Sequence, residues 1–113
     1  MALATVRDEI PPGTLDVLIL RTLDREGPLH GFQIADSIQV ASQNVLLVEE
    51  GSLYPALQRM LIKCWITGEW GKTPENRRAR YYHLTRDGRK QLQVELTRYE
   101  RVSTAIVRVL QPA

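Results

Sequence analysis

Reading the apolar positions in order yields four helical stripes and one pair of strand-like runs. Pro11-Pro12-Gly13 closes a loose, arm-like amino terminus, and Thr14 can cap a first helix in which Leu15, Leu18, Ile19 and Leu23 recur at helical spacing. Gly27-Pro28 stops that helix. After the turn Pro28-Leu29-His30-Gly31, the spacing by threes of Phe32, Ala35, Ile38 and Ala41 predicts a short second helix that ends near Ser42-Gln43-Asn44. Val45 to Val48 is too short for a helix and predicts a brief strand.

Glu49-Glu50-Gly51-Ser52 opens a third helix, whose Leu53, Leu57, Met60 and Leu61 share one face at i, i+4, i+7 and i+8. Pro55 is expected in its first turn, where a missing N–H is tolerated. The other face presents Tyr54, Gln58 and Arg59, with Lys63 at its end. Trp65 to Trp70 and Arg78 to Leu84 are rich in aromatic and β-branched residues, and the polar stretch Gly71 to Arg77 joins them as a hairpin with a basic tip.

Thr85 can cap a fourth helix running to about Leu110, with Asp87 in the first turn where the helix dipole favours it. Leu92, Leu96, Tyr99, Ser103, Ile106 and Leu110 alternate spacings of four and three, and Val102 and Val109 widen the stripe. Nearly three heptads, about 39 Å of helix, must outrun the core of so small a domain. A second chain is the simplest cover for the far end.

Composition narrows the class. At 113 residues and 43% hydrophobic content the chain is one ordinary domain, and one this short buries only about two-thirds of its unfolded surface, so pairing with a copy of itself would help. No apolar run exceeds four residues, which excludes a membrane-spanning helix, and Met1 to Ile10 lacks the features of a secretory signal, so a cytoplasmic location is expected. Cys64 is the only cysteine and His30 and His83 the only histidines, 53 positions apart, so neither a disulfide, a metal site nor a cofactor is expected. Glu49 and Glu50 are adjacent carboxylates, but neighbours on an extended segment point opposite ways, and no nucleophile–base pair or Gly-rich phosphate loop accompanies them. No catalytic residue is expected.

Net charge is only +2, yet Lys72 to Lys90 holds seven basic and two acidic residues, against eight basic and eleven acidic elsewhere. Such asymmetry points to an anionic partner for one region. Three short helices, the third polar on its outer face, followed by a hairpin with a basic turn, is the order of a winged helix-turn-helix, in which the third helix enters the major groove and the wing lies on the DNA backbone. The expected fold is therefore mainly α with a small β-hairpin. Residues 1–84 would form the winged DNA-binding domain with its amino-terminal arm, and 85–113 a long carboxyl-terminal dimerisation helix.

Within that frame Ser52 and Tyr54 offer hydroxyls at a helix amino end, Pro55 shapes the helix start beside them, and Gln58 and Arg59 can reach base edges one turn later. Lys72, Arg77 and Arg78 supply phosphate contacts from the wing, while His30 suits either a phosphate or a local turn contact. Arg80, inside a strand on the face of Tyr82, is read as structural.

The order of motifs resembles the PadR-like transcriptional regulators, a family named for control of phenolic acid decarboxylase genes. Matching stretches are Pro12 to Leu20, Gly27-Pro28-Leu29-His30-Gly31-Phe32-Gln33-Ile34-Ala35 and Val48-Glu49-Glu50-Gly51-Ser52-Leu53-Tyr54-Pro55-Ala56-Leu57. The match continues in Glu69-Trp70-Gly71, Asn76 to Tyr82 and Leu84 to Arg89. With a single helix after the wing, the chain is similar to the smaller of the family's two size classes.

The resemblance implies a homodimeric repressor of promoter DNA that binds an inverted repeat. It would be dimerised through the last helix (Leu92, Leu96, Tyr99, Ser103, Ile106, Leu110) with help from Leu15 of the first. It also implies a small-molecule effector, often phenolic or aromatic, that releases DNA, and Trp65, Tyr99 and Ser103 are nominated for its pocket. Other aromatics are read as packing. Two departures stand out: Cys64 where the family usually has Gly, at a position suited to left-handed backbone, and apolar Leu61 and Ile62 where polar residues are usual, Ile62 adding an apolar patch. An alternative reading keeps the winged helix as a scaffold whose heptad stripe binds a different protein, with no specific operator.

Overall fold

In the computed structural model, which describes residues 8–11 and 13–112, the segment ahead of the first helix is tied down. β1 (Asp8–Glu9) runs parallel to β3 (Leu46–Leu47), with Asp8 opposite Leu46 and Glu9 opposite Leu47. The rest of the expected arm, residues 1–7, lies outside the described residues. The predicted strand at Val45–Val48 thus exists in shortened form, with a partner that no spacing announces.

α1 (Leu15–Glu26) is the central helix, burying Val17, Ile19, Leu20, Thr22 and Leu23. Thr14 occupies its N-cap, but contrary to expectation its hydroxyl donates backwards to the Pro11 carbonyl at 2.7 Å and caps nothing. β2 (Leu29–His30) leads directly into α2 (Gly31–Ala41). The cap there is reciprocal: the Gln33 amide donates to His30 Nδ1 at 3.4 Å, and the His30 amide donates to Gln33 Oε1 at 3.1 Å. The face of α2 differs from the reading by threes. Ile34 and Ile38, four apart, enter the core, while Phe32 and Ala41 are exposed.

α3 (Glu50–Ile62) buries Leu53, Ala56, Leu57 and Met60. It begins at Glu50, so Pro55 is its sixth residue and lies beyond the first turn. Proline has no N–H to offer the Gly51 carbonyl four residues back, so α3 lacks that one helical bond. The helix ends in a Schellman arrangement, in which the Trp65 amide donates to the Met60 carbonyl at 3.0 Å and the Cys64 amide to the Leu61 carbonyl at 3.1 Å. The reversal puts Cys64 at φ 61°, the left-handed region anticipated for it. Its thiol is exposed, contrary to the usual burial of a lone cysteine. Cys64→Gly is expected to stabilise the fold by roughly 1 kcal/mol, because a side chain in left-handed backbone is penalised and glycine is not. Thermal melting checks this, and an unchanged or lower midpoint would contradict it.

β4 (Ile66–Lys72) and β5 (Arg78–Leu84) form the hairpin in register from Ile66 opposite Leu84 to Lys72 opposite Arg78. The first strand starts one residue later and ends two later than the aromatic pattern suggests. β2 adds to the other edge of β5, Leu29 opposite Tyr82, so the expected hairpin is a three-stranded sheet of order β2-β5-β4. α4 (Arg86–Leu110) follows, Thr85 accepting from the Gly88 amide at 2.9 Å as the predicted cap.

One core joins these layers: Ile19, Leu20 and Leu23 of α1, Ile34 of α2, Leu53, Leu57 and Met60 of α3, Ile66 of β4 and Leu92 of α4 are each almost wholly buried. Each contributes about 1.5–3 kcal/mol through removal of its side chain from water. No helix among the described residues is long and apolar enough to cross a membrane.

Candidate nucleic-acid interface

The packing of α3 decides what its outer side offers. With Leu53, Ala56, Leu57 and Met60 turned to the core, Gly51, Ser52, Tyr54, Pro55, Gln58 and Arg59 are all exposed. They divide between two flanks. Ser52, Pro55 and Arg59 line a recess against Ile10, Pro11 and Val48 at the amino-terminal side, whereas Tyr54 turns toward α2 and the hairpin. Gln58 lies between them.

Arg59 was expected to reach base edges; here its Nη2 is 3.0 Å from Asp16 Oδ1 on α1, half-exposed. The pair ties the carboxyl half of α3 to the start of α1. Tyr54 packs on the amino end of α2, where a Cβ at Gly31 would stand 2.8 Å from its hydroxyl, yet the ring keeps nearly half its surface. The ring is therefore packed on one side and open to solvent on the other. His30 makes the local turn contact through Nδ1 and meets Tyr81 edge-on, ring centroids 5.4 Å apart.

The wing is built by strand alternation. Because Trp70 stands opposite Arg80 and Lys72 opposite Arg78, these four side chains share one sheet face with Gly68 and Tyr82. That face runs from the core at Ile66 and Tyr82 outward to Lys72 and Arg78, which are exposed together with Arg77 in the turn. The turn is held by the Thr73 amide donating to the Arg77 carbonyl at 2.8 Å and the Arg77 amide donating to Thr73 Oγ1 at 3.1 Å, with Asn76 at φ 64°. Arg78 lies 4.3 Å over the Trp70 ring. Burial pushes the Tyr82 phenol above its ordinary pKa, and the Arg80 charge opposes the rise.

Arg80 sits where this face meets the core, its guanidinium 6.0 Å from the rings of both Trp70 and Tyr82. Its Nε is buried and meets no acceptor among the described residues. Sequence reasoning treated Arg80 as structural and Trp70 as packing. The signal that groups them with the wing is the register Trp70–Arg80, which composition alone does not supply.

The residues nominated for dimerisation separate along α4. Leu92 is fully buried in its own chain and Leu96 packs on the edge of the same core, as does Leu15 of α1. Tyr99, Val102, Ile106, Val109 and Leu110 are exposed, and Val102, Ile106, Val109 and Leu110 border one apolar groove. The effector trio is not assembled within one chain. Trp65 packs beside Gly88 at the start of α4, whereas Tyr99 lies eleven residues further on, about 16 Å along the helix. Tyr99 instead borders a groove with Gly13, Val17 and Val102, and the Ser103 hydroxyl donates to the Glu100 carbonyl at 3.3 Å. No cluster of three or more metal-ligating side chains occurs among the described residues.

Residues 19–94 match the PadR-like family of transcriptional regulators. An uncharacterized protein of Lysinibacillus sphaericus is 31% identical over 87 residues, 77% of this chain and 79% of that protein. A transcriptional regulator from Clostridium thermocellum superposes with a TM-score of 0.79 at 25% identity, over 88% of this chain and 95% of its own. A PadR-like transcriptional regulator from Bacillus cereus gives 0.73 at 29% identity, over 89% and 95% of the two chains. With a winged fold, a polar outer face on α3 and a basic hairpin already in place, this match over most of the chain makes it a member of the PadR-like family of transcriptional regulators, which are regulators and not enzymes.

Proposed function

We propose that the chain is a cytoplasmic, homodimeric repressor that binds an inverted-repeat operator, α3 reading the major groove and the wing holding the backbone. Residues 1–84 act as the DNA-binding unit and α4 as the dimerisation helix. The observation that carries the reading is the pairing of an outward polar face on α3 with an apolar stripe on α4 that its own core leaves bare from Tyr99 to Leu110. Two recognition helices held by one dimer would sit about one DNA turn apart, roughly 34 Å. Ser52, Tyr54, Pro55 and Gln58 meet the groove; Lys72, Arg77, Arg78 and His30 meet phosphates. Arg59 joins them when it exchanges Asp16 for DNA.

Release by a small, phenolic or aromatic effector follows as a population shift: a ligand that binds better when the recognition helices are misspaced lowers DNA affinity by that difference. Since Trp65 lies far from Tyr99 and Ser103 in one chain, such a pocket takes its walls from both copies. The test is fluorescence anisotropy of a labelled duplex from upstream of this protein's own gene, titrated at several salt concentrations beside a scrambled duplex. Tight binding of the upstream duplex alone, at two chains per site, supports the repressor. Equal weak binding to both, with a monomer in solution, favours the interaction-module alternative.

The same titration checks the wing. Replacing Arg77 and Arg78 by Ala is expected to weaken binding to both duplexes about equally and to lower the salt slope by about two per protomer. Unchanged operator affinity at moderate salt would remove these residues from the backbone contact.

A further inference from the structure

Arg80 presents a physical imbalance. Its Nε is buried, no acceptor meets it among the described residues, and no carboxylate pairs with its guanidinium there. One donor of the guanidinium is thus cut off from water and left unmet, which costs a fold free energy, while the rest of the group stays partly exposed. A Cβ on Gly68 would collide with Arg80 Nε, so the glycine across the hairpin opens the slot in which the guanidinium lies. The slot faces a recess of about 420 Å³ between α2, α3 and the wing, walled by Phe32, Tyr54, Trp70 and Tyr82 with Arg78 at its edge. Phe32 and Trp70 are large aromatics left mostly exposed, which single-chain packing does not account for.

Two guanidiniums converging on an aromatic-walled recess recognise an oxyanion, and the place of the recess says which one. Tyr54 on the groove-reading helix stands on one side and Arg78 of the wing on the other, so a DNA strand passing from α3 to the wing must run across the opening. We propose that the recess is a socket for one backbone phosphodiester, held by Arg80 and Arg78, with the Tyr54 hydroxyl beside it and the flanking sugars against Trp70 and Phe32. This rests on the DNA-binding reading above and assigns Arg80 and Trp70 to the interface.

Because phosphate contacts carry no sequence information, a scrambled duplex at low salt suffices as probe. Arg80→Met is expected to bind it about tenfold more weakly and with a salt slope reduced by about one per protomer. Arg80→Lys, which keeps the charge but loses the forked donors, should retain the slope and recover only part of the affinity. In a Trp65→Phe chain, Trp70 is the only tryptophan and its emission should change on saturation with duplex. Unchanged affinity and slope in Arg80→Met, at an unchanged melting temperature, would overturn the socket. Should Arg80→Met fail to fold, Trp70 emission indifferent to saturating duplex, with Arg80→Lys binding as the unsubstituted chain does, overturns it equally. A wild-type chain that binds neither the upstream nor the scrambled duplex at low salt would instead remove the DNA-binding reading, and the socket with it.

Discussion

Ile106→Glu is expected to leave the chain monomeric and to reduce operator affinity by more than a hundredfold. Ile106 is half-exposed in the single chain and touches none of the fully buried core, so the substitution spares the winged domain. In a two-fold assembly along α4 each copy would bury one uncompensated carboxylate in an apolar seam. Such a charge costs about 3–5 kcal/mol when it has no partner, and the symmetry places two of them at the interface. Sedimentation reads the mass and anisotropy the affinity. Identical masses for variant and wild type would mean that α4 is covered by something other than a second copy.

Gly88→Ala carries the largest expected effect on stability. Gly88 lies in the first turn of α4, buried, where a Cβ would collide with the Trp65 carbonyl oxygen and stand 2.7 Å from Leu84 Cδ1. That carbonyl is already fixed, accepting from the Thr85 amide at 3.0 Å, with the Thr85 hydroxyl 2.9 Å away and its one proton shared with the nearer Cys64 carbonyl at 2.7 Å. Since the obstacle is backbone held by Thr85, α4 must lift away from the β4 entrance or the turn must distort. We expect a loss of about 3 kcal/mol, which lowers the melting midpoint of a domain this size by on the order of 15 °C. Gly51→Ala is the control: a Cβ there meets nothing within 4 Å, and the midpoint should not fall. Equal melting of the two variants would show that α4 does not pack as described.

What the sequence made legible follows the range of the interactions concerned. Several local signals read correctly: the Thr85 cap, the fourth helix to Leu110 and the inward stripe of α3 are each set within a few residues, whereas the left-handed backbone at Cys64 followed from the family resemblance and the equally local Thr14 cap failed. Features that depend on distant partners were out of reach. β1 has only two residues and exists because β3 lies beside it, and β2 needs the edge of β5. Pro55 falls beyond the expected first turn because, of the opening stretch Glu49 to Ser52, the helix uses Glu49 as its cap and begins at Glu50.

The site divides in the same way. Exposure of Ser52, Tyr54, Pro55 and Gln58 follows from the opposite apolar stripe, and that of Arg77 from a polar turn, with Arg78 at the outer end of the strand beside it. Arg59 turned to Asp16, 43 positions away, and no periodicity announces that partner. Arg80 is read as structural and Trp70 as packing from the sequence because their juxtaposition lies in a strand register and in the missing side chain of Gly68. Leu92 and Ile106 belong to one stripe by spacing, yet the first is core and the second bare, because the globular part ends between them.

That division of α4 reaches into how the protein answers to its own abundance. The carboxyl half of the helix has no core of its own to hold it, and a short isolated helix is marginal in water, so in the proposed homodimer its folding and its cover by a second copy would rise and fall together. At chain concentrations below the constant of that dimer the number of competent molecules would follow the square of the number made, and halving synthesis would leave about a quarter of them. Control of this kind relaxes more abruptly than the protein itself is diluted or degraded, so a promoter under it would open over a narrow interval of cell growth.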